Sequence, residues 1–275
     1  MIFALNKSDT LRMLWKEITY IGLFTLLISY VIFNFFPNAG VLKSLFSVYS
    51  LIGFVISLLL IFRTNTAYDR WWEGRKKWGQ FLNDTRNLAL KCSVLVGDEN
   101  DFFRRMISNF VFATKEYLRD GVNFDELELK EEELSFLKEK EVVPVAISHL
   151  MYAKLKELKN KGKFSEEEFI VLDKNLNKLL DGLGACERIK ITPIPFSYSL
   201  FIKKFIFIYV ITLPLAFVSV FGYFSAFIAT FIFYVLVSIE VLAEEIEEPF
   251  GRNDNHLRTD EMCVFMRSNV NEILG

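Results

Sequence analysis

Apolar residues gather in long uncharged runs near both ends of this chain and fall into helical spacing between them. Residues 18–42 include no charged side chain, and neither do residues 205–239. A helix needs about 20 apolar residues to cross a bilayer. The stretch 18–36 meets that length, and 44–62 is uncharged and just long enough. The run 205–239 is too long for one crossing. Gly222 and Tyr223 near its middle divide it into two helices, each continuing past Lys204 or Glu240. Pro214 is expected to kink the third span, which membrane helices tolerate. The first run exceeds a signal-peptide core and lacks a small-residue cleavage site after it, so it reads as a retained span.

The middle of the chain has a different character. Residues 63–204 carry 48 of the 66 charged residues, which makes them a soluble insertion between membrane spans. Apolar positions at helical spacing predict helices over 102–118 and 142–158. The segment 165–183 is clearer. Ser165 and Glu168 form a capping box, and Phe169, Leu172, Leu176, Leu179 and Leu183 make a coiled-coil-like seam. Gly184 is expected to stop that helix. Residues 120–141, with Asp125, Glu126, Glu128 and Glu131, Glu132 and Glu133, read as a solvated helix face plus loop. The expected class is an all-α membrane protein. Its expected organisation is a cytosolic segment 1–17, two membrane helices in 18–62, a cytosolic helical domain 63–204, two more membrane helices in 205–240, and a cytosolic segment 241–275.

Composition and charge narrow the function. A hydrophobic content of 52% excludes disorder. A net charge of −2 gives no basic field for nucleic acid. Cys92, Cys186 and Cys263 are odd in number and far apart, which fits reduced thiols in a cytosol. Lys and Arg set the orientation. Lys7, Arg12 and Lys16 precede the first span, and only Lys43 lies in the first link. Arg63, Arg70, Arg75, Lys76 and Lys77 follow the second span, and Lys203 and Lys204 precede the third. Both termini and the insertion therefore belong in the cytosol.

Enzymatic chemistry finds little support. His149 and His256 share no metal-ligand spacing with Cys or carboxylates. No glycine-rich phosphate loop and no nucleophile elbow occurs. No enzyme activity and no cofactor are expected. One acidic constellation stands out: Glu244, Glu245, Glu247 and Glu248, just inside the membrane after the fourth span. Paired carboxylates there could hold a divalent cation. Ion pairing with Arg63, Arg70 or Arg75 is the favoured reading, since acids at a membrane edge need partners.

The most specific stretch is Phe62-Arg-Thr-Asn-Thr-Ala-Tyr-Asp-Arg-Trp-Trp-Glu-Gly-Arg-Lys-Lys-Trp-Gly79, followed by Asn83-Asp-Thr-Arg-Asn-Leu88. It resembles the signature of the bestrophin family in its bacterial branch. Cys186-Glu-Arg-Ile, Thr192-Pro-Ile-Pro-Phe-Ser-Tyr-Ser199 and Leu242-Ala-Glu-Glu-Ile-Glu-Glu-Pro-Phe-Gly251 agree in order and place. The resemblance implies a homopentameric ion channel around a central pore, with four membrane helices per subunit and a large cytosolic helical bundle. In that pattern the second span lines a narrow neck at three positions four residues apart, ending eight residues before the Arg of the Arg-Trp motif. Those positions are Phe54, Leu58 and Phe62 here, and their spacing stacks them on one helix face. Five copies would make three apolar rings, a gate by dewetting. The family's second, cytosolic constriction falls at Glu167, where bacterial relatives carry an apolar residue. Arg63, Asp69 and Arg70 are expected to pair with acids of another element or subunit. Trp71 and Trp72 suit the membrane interface or a subunit contact.

Animal bestrophins are chloride channels opened by cytosolic calcium, bound by acids after an Asn-Pro-Phe-Gly segment. Here Glu248-Pro-Phe-Gly251 continues as Arg252-Asn-Asp-Asn-His256, where most acids are gone and a cation is present. That composition opposes calcium binding. The expected function is a passive channel for small monovalent ions in a lipid bilayer. A lean to cations rests on Glu166, Glu167, Glu240 and Glu244 and on the missing clasp. Rival readings are an anion (chloride) channel of the same fold, a membrane-anchored scaffold or sensor, and a membrane enzyme using the acids of 244–248.

Overall fold

A computed structural model of the chain describes residues 10–35, 40–119 and 121–275, with the backbone alone for 40–43. Lys7, Phe36 and Asp120, and the side chain of Lys43, lie outside the described residues. Among the described residues every regular element is a helix. In chain order these are α1 (Thr10–Phe35), α2 (Gly40–Leu95), α3 (Asn100–Tyr117), α4 (Glu131–Lys138), α5 (Val143–Asn160), α6 (Glu166–Ile191), α7 (Phe196–Phe221), α8 (Ser225–Glu247) and α9 (Thr259–Leu274). Three stretches are long and apolar enough to cross a membrane: Thr10–Phe35, Ser44–Leu95 and Phe196–Glu247. The last is divided at Gly222, whose φ of 58° is a left-handed conformation that favours glycine.

The chain forms two compact units. The first contains α1, α2 up to Arg70, α7 and α8. Its core joins Ile56 and Leu60 of α2 to Ile202, Ile206, Val210 and Leu213 of α7. Small residues allow the close approaches. A side chain at Gly53 would meet the Tyr209 hydroxyl at 2.7 Å, and one at Gly22 would meet Thr230 at 3.2 Å. Buried Ser29 of α1 and Ser225 of α8 share a hydrogen bond of 3.1 Å. Helix pairs in lipid gain little from the hydrophobic effect, so close packing and such polar contacts hold them.

The second unit contains α2 from Trp71 onward, α3 to α6 and α9. Its core is aromatic at the centre. Trp78 meets Phe81 edge-on with ring centroids 5.6 Å apart, and Phe81 meets Phe110 at 5.9 Å. Gly182 of α6 makes room for the Phe81 ring, since a Cβ there would lie 2.7 Å from it. Burying a ring such as Phe103 completely stabilises the unit by about 2–3 kcal/mol.

Two sequence expectations need correction. The α6 helix starts with the expected capping box on Ser165 and Glu168 but runs through Gly184 to Ile191. It continues because Ala185, Cys186 and Ile189 are buried beyond the glycine, which outweighs its weak helix preference. The acidic stretch 120–141 is not simply a solvated face. Glu133 takes both Nη atoms of Arg105, at 2.6 and 3.0 Å, and Glu126 holds Lys115 at 2.6 Å.

Candidate functional site: an apolar stripe and the ion pairs at its end

Successive helix residues turn by about 100° around the axis. On α2, Ile56, Leu60, Arg63 and Ala67 are buried within the first unit. Phe54, Leu58 and Phe62 fall on the opposite face, with 66%, 41% and 55% of their surface exposed. All three are therefore presented outward by a helix whose other side is anchored. Bulky apolar residues occupy both faces of the helix, and the packing against α7 decides which one is buried.

Just past the stripe, Arg63 is 1% exposed and is held by Glu247 at 2.6 Å. The second oxygen of Glu247 accepts the backbone N–H of Ile194 at 2.7 Å, and Arg70 Nε donates to the Glu247 carbonyl at 3.1 Å. One carboxylate thus ties α2, the Thr192-Pro-Ile-Pro turn and the end of α8. That turn also delivers Tyr198, whose hydroxyl donates to the Leu59 carbonyl. Glu240 lies on the other side of Arg63, with Oε1 3.9 Å from Nε.

The acids at 244–248 take separate partners. Glu244 pairs with Lys203 at 2.7 Å, Glu245 accepts from Asn255, Glu247 holds Arg63, and Glu248 is exposed. Among the described residues no group of three or more His, Cys, Asp or Glu side chains converges as a metal site would require. Asp69 is exposed. Trp71 packs against the core of the second unit, and its ring stacks near that of Trp72 at 6.5 Å. Lys76 lies over the half-exposed Trp72 ring at 5.9 Å.

Glu167 is exposed in the first turn of α6. Its carboxyl is held below the usual range by its own backbone N–H and by Ser165. The acids behind the cation lean are mostly neutralised: Glu166 pairs with Lys159, Glu240 sits beside Arg63, and Glu244 pairs with Lys203. Charge counting along the sequence does not reveal which acids keep a free field, because their partners are 7 to 177 positions away. Lys203 was visible as a basic residue before the third span, but nothing marked its partner.

The Pro-Phe-Gly segment has a structural role in the second unit. Phe250 is buried, and its ring rests where Gly74 lacks a side chain, with a Cβ there only 3.2 Å away. Arg119 Nε donates to the Phe250 carbonyl, and its Nη2 holds Asp260 of α9 at 2.7 Å. Arg252 pairs with Glu116 at 2.8 Å. Lys115, 1% exposed, bridges Glu126 and Asp260. No sequence motif announced this network, which is assembled from four separated segments.

Comparison with known proteins bears on this arrangement. The sequence pattern described as bacterial/fungal bestrophin protein matches residues 1–272. A voltage-dependent anion channel-forming protein of Nostoc sp. is 34% identical, over 80% of this chain and 74% of its own length. The voltage-dependent anion channel-forming protein YneE of Escherichia coli K12 is 33% identical, over 78% of this chain and 72% of that one. The crystal structure of a bacterial bestrophin homolog from Klebsiella pneumoniae superimposes with a TM-score of 0.87 at 28% identity, covering 95% of this chain and 98% of that one. The names of these relatives favour anions and lend no support to the cation lean. By sequence pattern, relatives and fold, the chain belongs to the bestrophin family.

Proposed function

We propose that the chain is one subunit of a homopentameric ion channel that passes small anions passively along a central pore. The observation that carries the channel reading is the outward stripe of Phe54, Leu58 and Phe62, opposite the buried face of α2. Five such stripes around one axis make three stacked apolar rings, which stop ions by excluding water. The pattern of bulk is suited to a gate rather than to a filter, because no polar ligand replaces the hydration shell.

The anion preference is supported by the names of the relatives and by the pairing of Glu166, Glu240 and Glu244 with cations. Glu167 is the candidate cytosolic constriction. A ring of five carboxylates there would oppose anions, so this position tests the path most sharply. In this reading 18–62 and 205–240 form four membrane helices, and 63–204 and both termini lie in the cytosol of a bacterium with the pore in its inner membrane. Arg63, Arg70 and Glu247 hold the neck helix in place.

Current through purified protein in a planar bilayer, with unequal salt on the two sides, tests the proposal. A reversal potential near the anion limit is expected. One near the cation limit would keep the channel and overturn the selectivity. Silence from both the native protein and a variant with the stripe truncated would overturn the channel itself.

A further inference from the structure

The packed face of α1 is set by Ile18, Ile21, Thr25 and Ser29, of which Thr25 and Ser29 are fully buried. At about 100° per residue, Arg12, Lys16, Tyr20, Leu23 and Leu27 fall together on the opposite side of the helix. All five are exposed, Tyr20 by 69% and Leu23 and Leu27 by 60% each. This outer face is apolar along the uncharged run that begins at Ile18, and it carries two cations at one end.

Neither cation is used by the fold of the chain. Arg12 and Lys16 have no carboxylate partner among the described residues, and Lys16 lies over the exposed ring of Trp15 at 5.8 Å. The first turn of α1 contains no acid, and cations in the first turns of a helix oppose its dipole. Glu17 follows Lys16 but is turned about 100° away from it. Two cations against one acid leave this end of α1 positive. Helix α8 packs beside α1, where Ser238 hydrogen-bonds Thr10 at 3.2 Å. Its acids are already held: Glu240 and Glu247 by Arg63, Glu244 by Lys203 and Glu245 by Asn255. The complement of this face is an anion at the membrane edge joined to an apolar chain.

We propose that this face of α1 holds an anionic phospholipid, its phosphate between Arg12 and Lys16 and an acyl chain along Tyr20, Leu23 and Leu27. Residues four apart on a helix are neighbours, so both cations reach one phosphate, and Arg offers it two parallel N–H groups. The depth fits as well. Leu27 lies about 16 Å along the helix from Lys16, close to half of a hydrocarbon core about 30 Å thick. Tyr20 lies between the cations and the leucines, where a ring with a polar end suits the interface. A soluble phosphate would meet the cations and leave the leucines uncovered. A zwitterionic headgroup would bring its own ammonium beside Arg12. The inference rests on α1 crossing a membrane and is independent of conduction, so its test reads lipid rather than current.

Native mass spectrometry of the full-length protein, released from bilayers of equal phosphatidylglycerol and phosphatidylcholine, provides that test. The native protein is expected to retain phosphatidylglycerol several-fold over phosphatidylcholine. Arg12→Gln with Lys16→Gln is expected to remove most of that preference, and either substitution alone to lower it. Both side chains are exposed, so these variants leave the packing of the unit intact. Lys156→Gln with Lys174→Gln removes the same charge from exposed positions of the second unit and is expected to leave the preference unchanged. Equal retention of the two lipids by the native protein would overturn the proposal. So would a preference that survives loss of both Arg12 and Lys16, which would place a neighbouring copy on this face. A preference that falls equally in the control pair would overturn it too, by making net charge the source.

Discussion

Arg63 and Glu247 stand 2.6 Å apart, 184 residues distant in sequence, and Arg63 is almost wholly buried. Removing one partner of a buried pair leaves an uncompensated charge and costs about 3–5 kcal/mol. Arg63→Gln leaves both Glu240 and Glu247 without their cation. We expect a lower unfolding temperature and loss of assembled protein in gel filtration. An unchanged unfolding temperature would show that the pair contributes little.

The apolar stripe on α2 behaves differently, because its side chains point away from the packed face. Replacing Phe54, Leu58 and Phe62 together by Ala removes bulk that the fold of one chain does not use. The expected result is a higher leak conductance in bilayer recordings with the assembly intact. Unchanged flux through an assembled triple mutant removes these residues from the pore.

Two glycines two positions apart in α6 should respond oppositely. A Cβ at Gly182 lies 2.7 Å from the Phe81 ring, so Gly182→Ala overpacks the core and destabilises by about 1–3 kcal/mol. Nothing lies within 4 Å of a Cβ at Gly184. Gly184→Ala gains helix preference and is expected to stabilise by about 0.5–1 kcal/mol. Thermal unfolding followed by circular dichroism compares the two.

Acid should loosen α9. Hydrogen bonding from the Arg119 guanidinium, and then from Lys115, holds the Asp260 carboxyl well below the usual range against the opposing effect of burial. A group depressed on folding contributes stability that is present above its unfolded pKa of about 3.9 and is lost as pH falls toward the folded value. Hydrogen exchange of the α9 amides is therefore expected to lose protection progressively below about pH 4. Asp260→Asn should weaken that acid dependence, and a variant with the native profile would place its origin elsewhere.

Glu167 offers a test of the cytosolic path. It is exposed, and its change to Lys disturbs no buried neighbour. If it faces the axis, five added cations in place of five acids should raise the anion-to-cation permeability ratio. A ratio that stays put in reversal-potential measurements takes Glu167 off the path.

The helical class, the capping box at Ser165 and the turn at Gly222 were all legible in the sequence. Each depends on local spacing or on one residue's backbone freedom, and such information lies within a few positions of where it acts. Length and lack of charge likewise marked the apolar helices, because a bilayer imposes its thickness on any segment that crosses it. What the sequence could not contain was the choice of partner. Glu244, Glu245, Glu247 and Glu248 look alike on one helix end, yet Glu247 alone reaches Arg63, and Glu244 turns to Lys203. Gly184 carried a stop signal that the buried residues beyond it overrode. Only the tertiary structure decided which cation each carboxylate meets, because pairing and burial depend on segments brought together from opposite ends of the chain.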